Sequence, residues 1–193
     1  MKTSRFYVIA GIIGAAALSR IVPHPPNFAP MNAMALFAGA YLADKKISAI
    51  IMPLIAMLLS DTLLQMLTGW GFHADMWIVY GAIACITMLG FRLQTQGVNE
   101  QEQRNQLSAT KLITFSVLAS IFFFVVTNAV PFALHGMYGM YAHTWDGFVA
   151  CFVAAIPFFQ NALLGDLVFT AVLFGGFELA QRTIPSIRTE MTA

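Results

Sequence analysis

The sequence predicts an all-α integral membrane protein: a single transmembrane domain over residues 1–193, with six spans and both termini in the cytoplasm. Three observations carry that expectation. First, 59% of the residues are hydrophobic and only 10% are charged, against about a quarter charged in an ordinary soluble domain. A soluble domain of 193 residues does not hide that much apolar surface in one core. Second, apolar runs alternate with polar punctuation, and a helix needs roughly 20 such residues to cross about 30 Å of hydrocarbon. Third, the basic residues collect on one side of the resulting map, as cytoplasmic loops require. The same composition excludes other classes. A net charge of +1 leaves no basic face for nucleic acid, and two cysteines make no disulfide scaffold.

The first span, 6–22, follows Lys2 and Arg5 and is interrupted by Arg20. It is read as a retained anchor, because Arg20 and Pro23 directly follow the small residues 15–17 and spoil a signal-cleavage pattern. The second run, 31–43, is short: its 13 residues cover only about 20 Å as a helix. The third, fourth and fifth spans are 47–67, 76–91 and 112–134. The last run, 148–179, contains Pro157, which removes a backbone donor and disfavours helix in the residue before it. It is expected to divide into a short outer segment, 148–156, and a span, 157–180.

With the N-terminus inside, Lys2, Arg5, Lys45, Lys46, Arg92, Arg104, Lys111, Arg182 and Arg188 are all cytoplasmic. If the second run failed to cross, Lys45 and Lys46 would lie opposite Lys2 and Arg5, so six spans are favoured. The Gln- and Asn-rich stretch 92–111 reads as a cytoplasmic linker between two halves of three spans. Leu58-Leu59-Ser60-Asp61 and Leu163-Leu164-Gly165-Asp166 share an LLxD pattern, too short to establish an inverted repeat. No phosphate-gripping GxxxxGK[ST] loop is present.

On this map all four histidines, His24, His73, His135 and His143, fall in the three outer loops. An interfacial aromatic belt accounts for Trp77 and Trp145. It accounts neither for the histidines nor for a first loop stiffened by four prolines, a stiffness that suits a preorganised binding wall. Beneath the loops lie the ionisable groups Arg20, Asp61 and Asp166, with Asn128 and Asn161 as polar neighbours. A charge in the bilayer is costly unless paired or wetted, and marks a functional site by default. Two compatible readings follow: an Arg20–carboxylate pair that locks helices, or the floor of an outward-facing cavity. Tyr80 is placed to reach the same cavity, and Asn27, Phe28 and Trp70 belong to its loop walls. No metal site is expected, because no HxxxH or HExxH spacing pairs the histidines. Cys85 and Cys151 read as small buried apolar side chains, with a soft ligand role for Cys85 as the alternative. Gly11, Ala15 and Ser19 form a small-residue stripe on the first span, read either as internal packing or as a docking stripe for a separate membrane subunit.

The string Pro23-His24-Pro25-Pro26-Asn27-Phe28-Ala29-Pro30, followed by Ala35-Leu36-Phe37-Ala38-Gly39-Ala40, resembles an uncharacterised bacterial membrane family with an HPPNFxP motif. Pro53-Leu54, Ser60-Asp61, Thr127-Asn128, Pro157-Phe158-Phe159-Gln160-Asn161 and Leu164-Gly165-Asp166 fit it too, so the likeness runs from about residue 6 to 180. That family is often grouped with the S components of energy-coupling factor vitamin transporters, which the short six-span plan is also similar to. The resemblance implies a substrate-binding subunit of the bacterial inner membrane, not an enzyme. It implies a ligand held under the loops joining spans 1–2, 3–4 and 5–6, and energy-coupling transmembrane and ATPase subunits on other chains unless the protein acts alone. The stripe Gly11, Ala15 and Ser19 resembles the coupling face of such components, although their strict AxxxA form is absent. Solitary S-like proteins proposed for cobalamin uptake are a near relative in this reading. A corrinoid is then a candidate substrate, with His24, Cys85 or another outer histidine meeting the cobalt, and no cofactor is held permanently.

The expectation is therefore uptake of a small vitamin-like solute, bound by Arg20, His24, Asn27, Phe28, Asp61, Trp70, His73, Tyr80, Asn128, His135, His143 and Asp166. The rivals are a structural or assembly subunit whose polar groups only hold helices together, and an intramembrane enzyme, which the sequence gives no GxSG elbow or paired metal motif.

Overall fold

The computed structural model describes residues 3–93, 107–184 and 187. Every regular element among them is helical. In chain order these are α1 (Thr3–Ser19), α2 (Met31–Tyr41), α3 (Lys46–Thr68), α4 (Met76–Gly90), α5 (Ala109–Gly139) and α6 (Trp145–Thr183). Short 3-10 turns at Ala43–Lys45 and Phe91–Leu93 follow α2 and α4. Lys2, Arg104 and Arg188 lie outside the described residues, as does most of the expected linker, whose last residues, from Ala109 on, already belong to α5.

The exterior explains the composition. α3 turns Ile47, Ile51, Ile55, Leu58 and Leu59 outward, and α6 does the same with Val153, Leu164, Val172 and Leu179. Apolar surface on that scale is stable only against hydrocarbon. Four helical stretches, Ala43–Thr68, Met76–Leu93, Ala109–Gly139 and Trp145–Thr183, are long and apolar enough to cross a membrane, and α1 is a shorter apolar helix. The chain is a multi-pass membrane protein built as a helical bundle.

α2 differs from the rest. Its 11 residues reach about 16 Å, well short of a bilayer core. Every residue from Asn32 to Tyr41 is buried, so α2 is enclosed by the other helices and has no lipid-facing side. Small residues make that enclosure possible. A Cβ on Gly39 would sit 2.8 Å from Gly90 Cα and would overlap the Thr87 carbonyl, so α2 and α4 meet backbone to backbone. On another side Phe37 and Tyr41 pack edge-on against Phe177, at 5.6 and 4.6 Å between ring centroids. Arg5 of α1 stacks over the Tyr41 and Phe177 rings and donates to Gln181 at 2.9 Å, closing this end of the bundle beside Lys45, which lies over Phe6.

The break expected at Pro157 is absent. α6 runs unbroken over 39 residues, about 58 Å, longer than the bilayer core is thick. Proline is tolerated in a membrane helix because neighbouring groups and local adjustment absorb the lost bond. α5 carries Pro131 in the same way, and its regular helix ends at Leu134, where the fifth span was expected to stop. His135 then leaves helical geometry, and Gly136, Met137 and Tyr138 adopt left-handed φ values of 56, 49 and 62°. Thr144 caps α6 by accepting from Gly147 N, and Ser108 caps α5 by accepting from Lys111 N.

Candidate functional site

At the end of the bundle opposite Arg5 and Lys45, a cavity of about 370 Å³ opens between the helices. The helices α2 to α6 supply wall or floor, and Arg20 contributes from the turn after α1. The floor holds two carboxylates in different surroundings. Asp61, on α3, is buried and paired: Arg20 Nη2 lies 2.7 Å from its Oδ1, and the Tyr80 hydroxyl donates to its Oδ2 at 2.7 Å. Arg20 Nη1 also donates to Ser60 Oγ at 2.6 Å. The guanidinium thus ties α3 to the end of α1.

Asp166, on α6, is 1% exposed. Asn32 Nδ2 donates to its Oδ2 at 2.7 Å, and Ser120 Oγ donates to the same oxygen at 2.6 Å. Both donors are neutral. The N-terminus of α2 also directs the backbone N–H groups of Asn32 and Ala33 toward this carboxyl, where a negative group is favoured. Ser116 and Thr170 continue the polar seam between α5 and α6, with Thr170 Oγ1 donating to Ser116 Oγ at 3.3 Å. Asn32 is 3% exposed, and its Oδ1 has no hydrogen-bond partner.

The remaining walls are apolar. Phe123 and Phe124 of α5 and Phe158 and Phe159 of α6 line the cavity, with the Phe124 and Phe159 rings packed together at 4.7 Å between centroids. Thr127 and Asn128 add polar edges, although Asn128 Nδ2 is spent on the Phe124 carbonyl. Two loops form the rim. In the proline-rich loop Asn27 takes a φ of 63°, which asparagine tolerates better than most residues. Asn161 Nδ2 donates to the Pro26 carbonyl at 3.0 Å, and Gly165 lets the backbone of Phe28 and Ala29 lie close against α6. In the second loop Gly69 ends α3 with a φ of 76°, and Gln65 Oε1 accepts from both Gly71 N and Phe72 N. This turn places Trp70 and His73 on the rim.

Arg20, Asn27, Asp61, Trp70, His73, Asn128 and Asp166 all line the cavity. Tyr80 acts behind it, through Asp61. Phe28 turns away to pack on Phe169, 5.8 Å between centroids. His24 is exposed and folds back on its own loop, its ring nitrogens 2.9 Å from the Pro25 carbonyl and 3.2 Å from that of Arg20. His143 packs beside Phe132. His135 belongs to a separate cluster: its Nε2 lies 3.2 Å from Asp75 Oδ1, while Tyr138 stacks on its ring and donates its hydroxyl to Asp75 Oδ2 at 2.6 Å. Partial burial works to raise the Asp75 carboxyl, but the bonds from Tyr138 and His135 and the nearby imidazoles outweigh it and hold the group below the ordinary carboxylate range. The same bond raises the Tyr138 phenol above its usual value. Cys85 is exposed on α4, contrary to the expectation of a buried side chain, and is not among the residues lining the cavity, whereas Cys151 is buried. Gly11 and Ala15 are exposed on α1, and nothing lies within 4 Å of where a Cβ on Gly11 would be; Ser19 Oγ donates to the Ala16 carbonyl.

Sequence reasoning missed Asn32, Ser60, Ser120 and the four phenylalanines. Short polar side chains inside apolar runs carry little signal, and phenylalanine in a membrane helix reads as lipid contact. Among the described residues no group of three or more His, Cys, Asp or Glu side chains is placed to hold a metal ion. A family model described as a family of unknown function, DUF6580, matches residues 1–187. No curated protein and no solved structure matches the chain.

Proposed function

We propose that this chain, which belongs to the DUF6580 family of unknown function, is a solute-binding subunit that takes up a small vitamin-like molecule across the bacterial inner membrane. The observation that carries the proposal is the cavity itself: polar groups from several helices converge on an aromatic-walled space near one end of the bundle. In this reading the chain passes six times between the two faces, with both termini cytoplasmic. The cavity then opens to the periplasm, because Arg5, Lys45 and Lys46 mark the opposite end. The rim loops close over the solute, and a rocking of helices or reorientation of the subunit releases it inward. The open small-residue stripe of α1, at Gly11 and Ala15, is the face offered to an energy-coupling membrane partner.

The volume favours a solute near the lower end of the drug-sized range. Mass spectrometry of small molecules released from the detergent-purified protein tests the reading. A stoichiometric solute, lost in Asp61→Ala protein that still elutes as a folded species, is the expected result. Recovery of lipid alone, with every polar cavity variant destabilised, points to a structural subunit whose polar groups only hold helices together.

A further inference from the structure

Resting on that solute-binding reading, we infer that the solute carries a protonated nitrogen, seated between the Asp166 carboxylate and the unpartnered Oδ1 of Asn32. The first support is charge. Of the three ionisable groups on the cavity floor, Arg20 and Asp61 satisfy each other at 2.7 Å. Asp166 has only neutral donors, and among the described residues no cationic side chain lies within ion-pair distance of it. The cavity floor therefore holds one carboxyl with no cation beside it among the described residues, and a cationic solute would stabilise its ionised form. An anionic solute would meet that charge unscreened, and the one guanidinium nearby is already committed to Asp61 and Ser60.

The second support is the orphaned acceptor. Buried polar atoms without a partner are rare and costly, and this one belongs to a cavity-lining side chain that is 3% exposed. With Asp166 ionised, rotating the Asn32 amide does not relieve it, since Oδ1 would then face Asp166 Oδ2 as two acceptors. A donor is missing, and an ammonium or ring N–H group of a solute supplies donors to Asn32 and charge to Asp166 together. The third support is the wall. Phe123, Phe124, Phe158 and Phe159 line the cavity, and an aromatic lining suits a planar body and a cation.

The test uses the full-length protein in detergent and three indoles of similar shape: tryptamine, which is cationic, tryptophol, which is neutral, and indole-3-acetate, which is anionic. Equilibrium dialysis reads binding, a thermal shift reads stabilisation, and mass spectrometry identifies any co-purified solute. Tryptamine is expected to bind on the order of tenfold tighter than tryptophol, and indole-3-acetate not to bind. Asp166→Asn should remove most of that preference while sparing tryptophol. If that variant does not fold, the ranking on the unmodified protein decides. Equal binding of tryptamine and tryptophol, or preference for the acetate, overturns the inference and leaves solute binding intact. If no probe binds, a co-purified solute with a cationic nitrogen supports the inference and a neutral or anionic one overturns it. No probe binding and no co-purified solute overturns both readings.

Discussion

Arg20 and Asp61 form a buried ion pair at 2.7 Å, with side chains only 14% and 5% exposed, between the turn that ends α1 and the third turn from the end of α3. Removing one partner strands the other charge in a medium that cannot solvate it. Arg20→Leu is expected to cost about 3–5 kcal/mol, and the double change Arg20→Leu with Asp61→Leu to cost clearly less, because both desolvation penalties vanish together. Thermal unfolding of the four proteins in one detergent gives the comparison. A double variant worse than the single would show that the pair acts through something other than mutual neutralisation.

Gly39 and Gly90 hold α2 and α4 at backbone contact. Gly39→Ala forces those backbones apart and is expected to destabilise by about 1–3 kcal/mol. Gly81→Ala, on the same α4 but with nothing within 4 Å, should change stability by less than about 0.5 kcal/mol. Equal melting temperatures for the two variants would mean that α2 and α4 have room to move.

The Asp75–His135–Tyr138 cluster fastens the left-handed segment that follows α5 to the start of α4. Asp75 is held below its ordinary value of 3.8, so its contribution is full above that value and is lost as pH falls through the lower, folded one. Tyr138 is raised above 10.0, so its contribution is full below 10.0 and is lost as pH rises through the folded value. Protease cleavage near Gly139 should therefore stay slow between those limits and accelerate at both extremes. Asp75→Asn should flatten the acid limb; an unchanged acid limb would remove Asp75 from the account.

Asn27 sits at φ 63° on the cavity rim. Asn27→Gly keeps that turn, whereas Asn27→Val places a β-branched side chain in left-handed geometry at a cost of roughly 1–2 kcal/mol. Solute retention should survive the glycine far better than the valine change. The reverse order would mean that the Asn27 side chain, rather than the turn, matters.

Sidedness can be read with a membrane-impermeant maleimide in a Cys85→Ser background. A cysteine replacing Trp70 is expected to label from the periplasm, and one replacing Lys46 from the cytoplasm. Labelling of both from one side would refute the six-span map.

Helix positions were legible in the sequence where lipid surrounds the chain. α3 and α4 start and stop within a residue or so of the apolar runs, because a membrane-facing helix has to stay apolar along its length. The carboxylates were legible too, since a charge in hydrocarbon stands out by its cost. Direction was not. Four histidines share loops of one end, yet His73 lines the cavity while His135 turns to Asp75 and His24 to its own loop. Loop membership says nothing about where a ring points. Pro157 misled because its local rule ignores what neighbouring helices absorb, and Asn32 was passed over because a single amide in an apolar run resembles an interruption rather than a ligand-facing group.

The complete enclosure of α2 has a consequence for biosynthesis. A segment of 11 residues is too short to span the bilayer by itself as a helix, and in the finished bundle it has no face for lipid. Its enclosure is completed by α4, α5 and α6, which are synthesised later. A nascent chain stalled before α6 leaves Asn32 without Asp166, and should be a preferred target of membrane quality-control proteases.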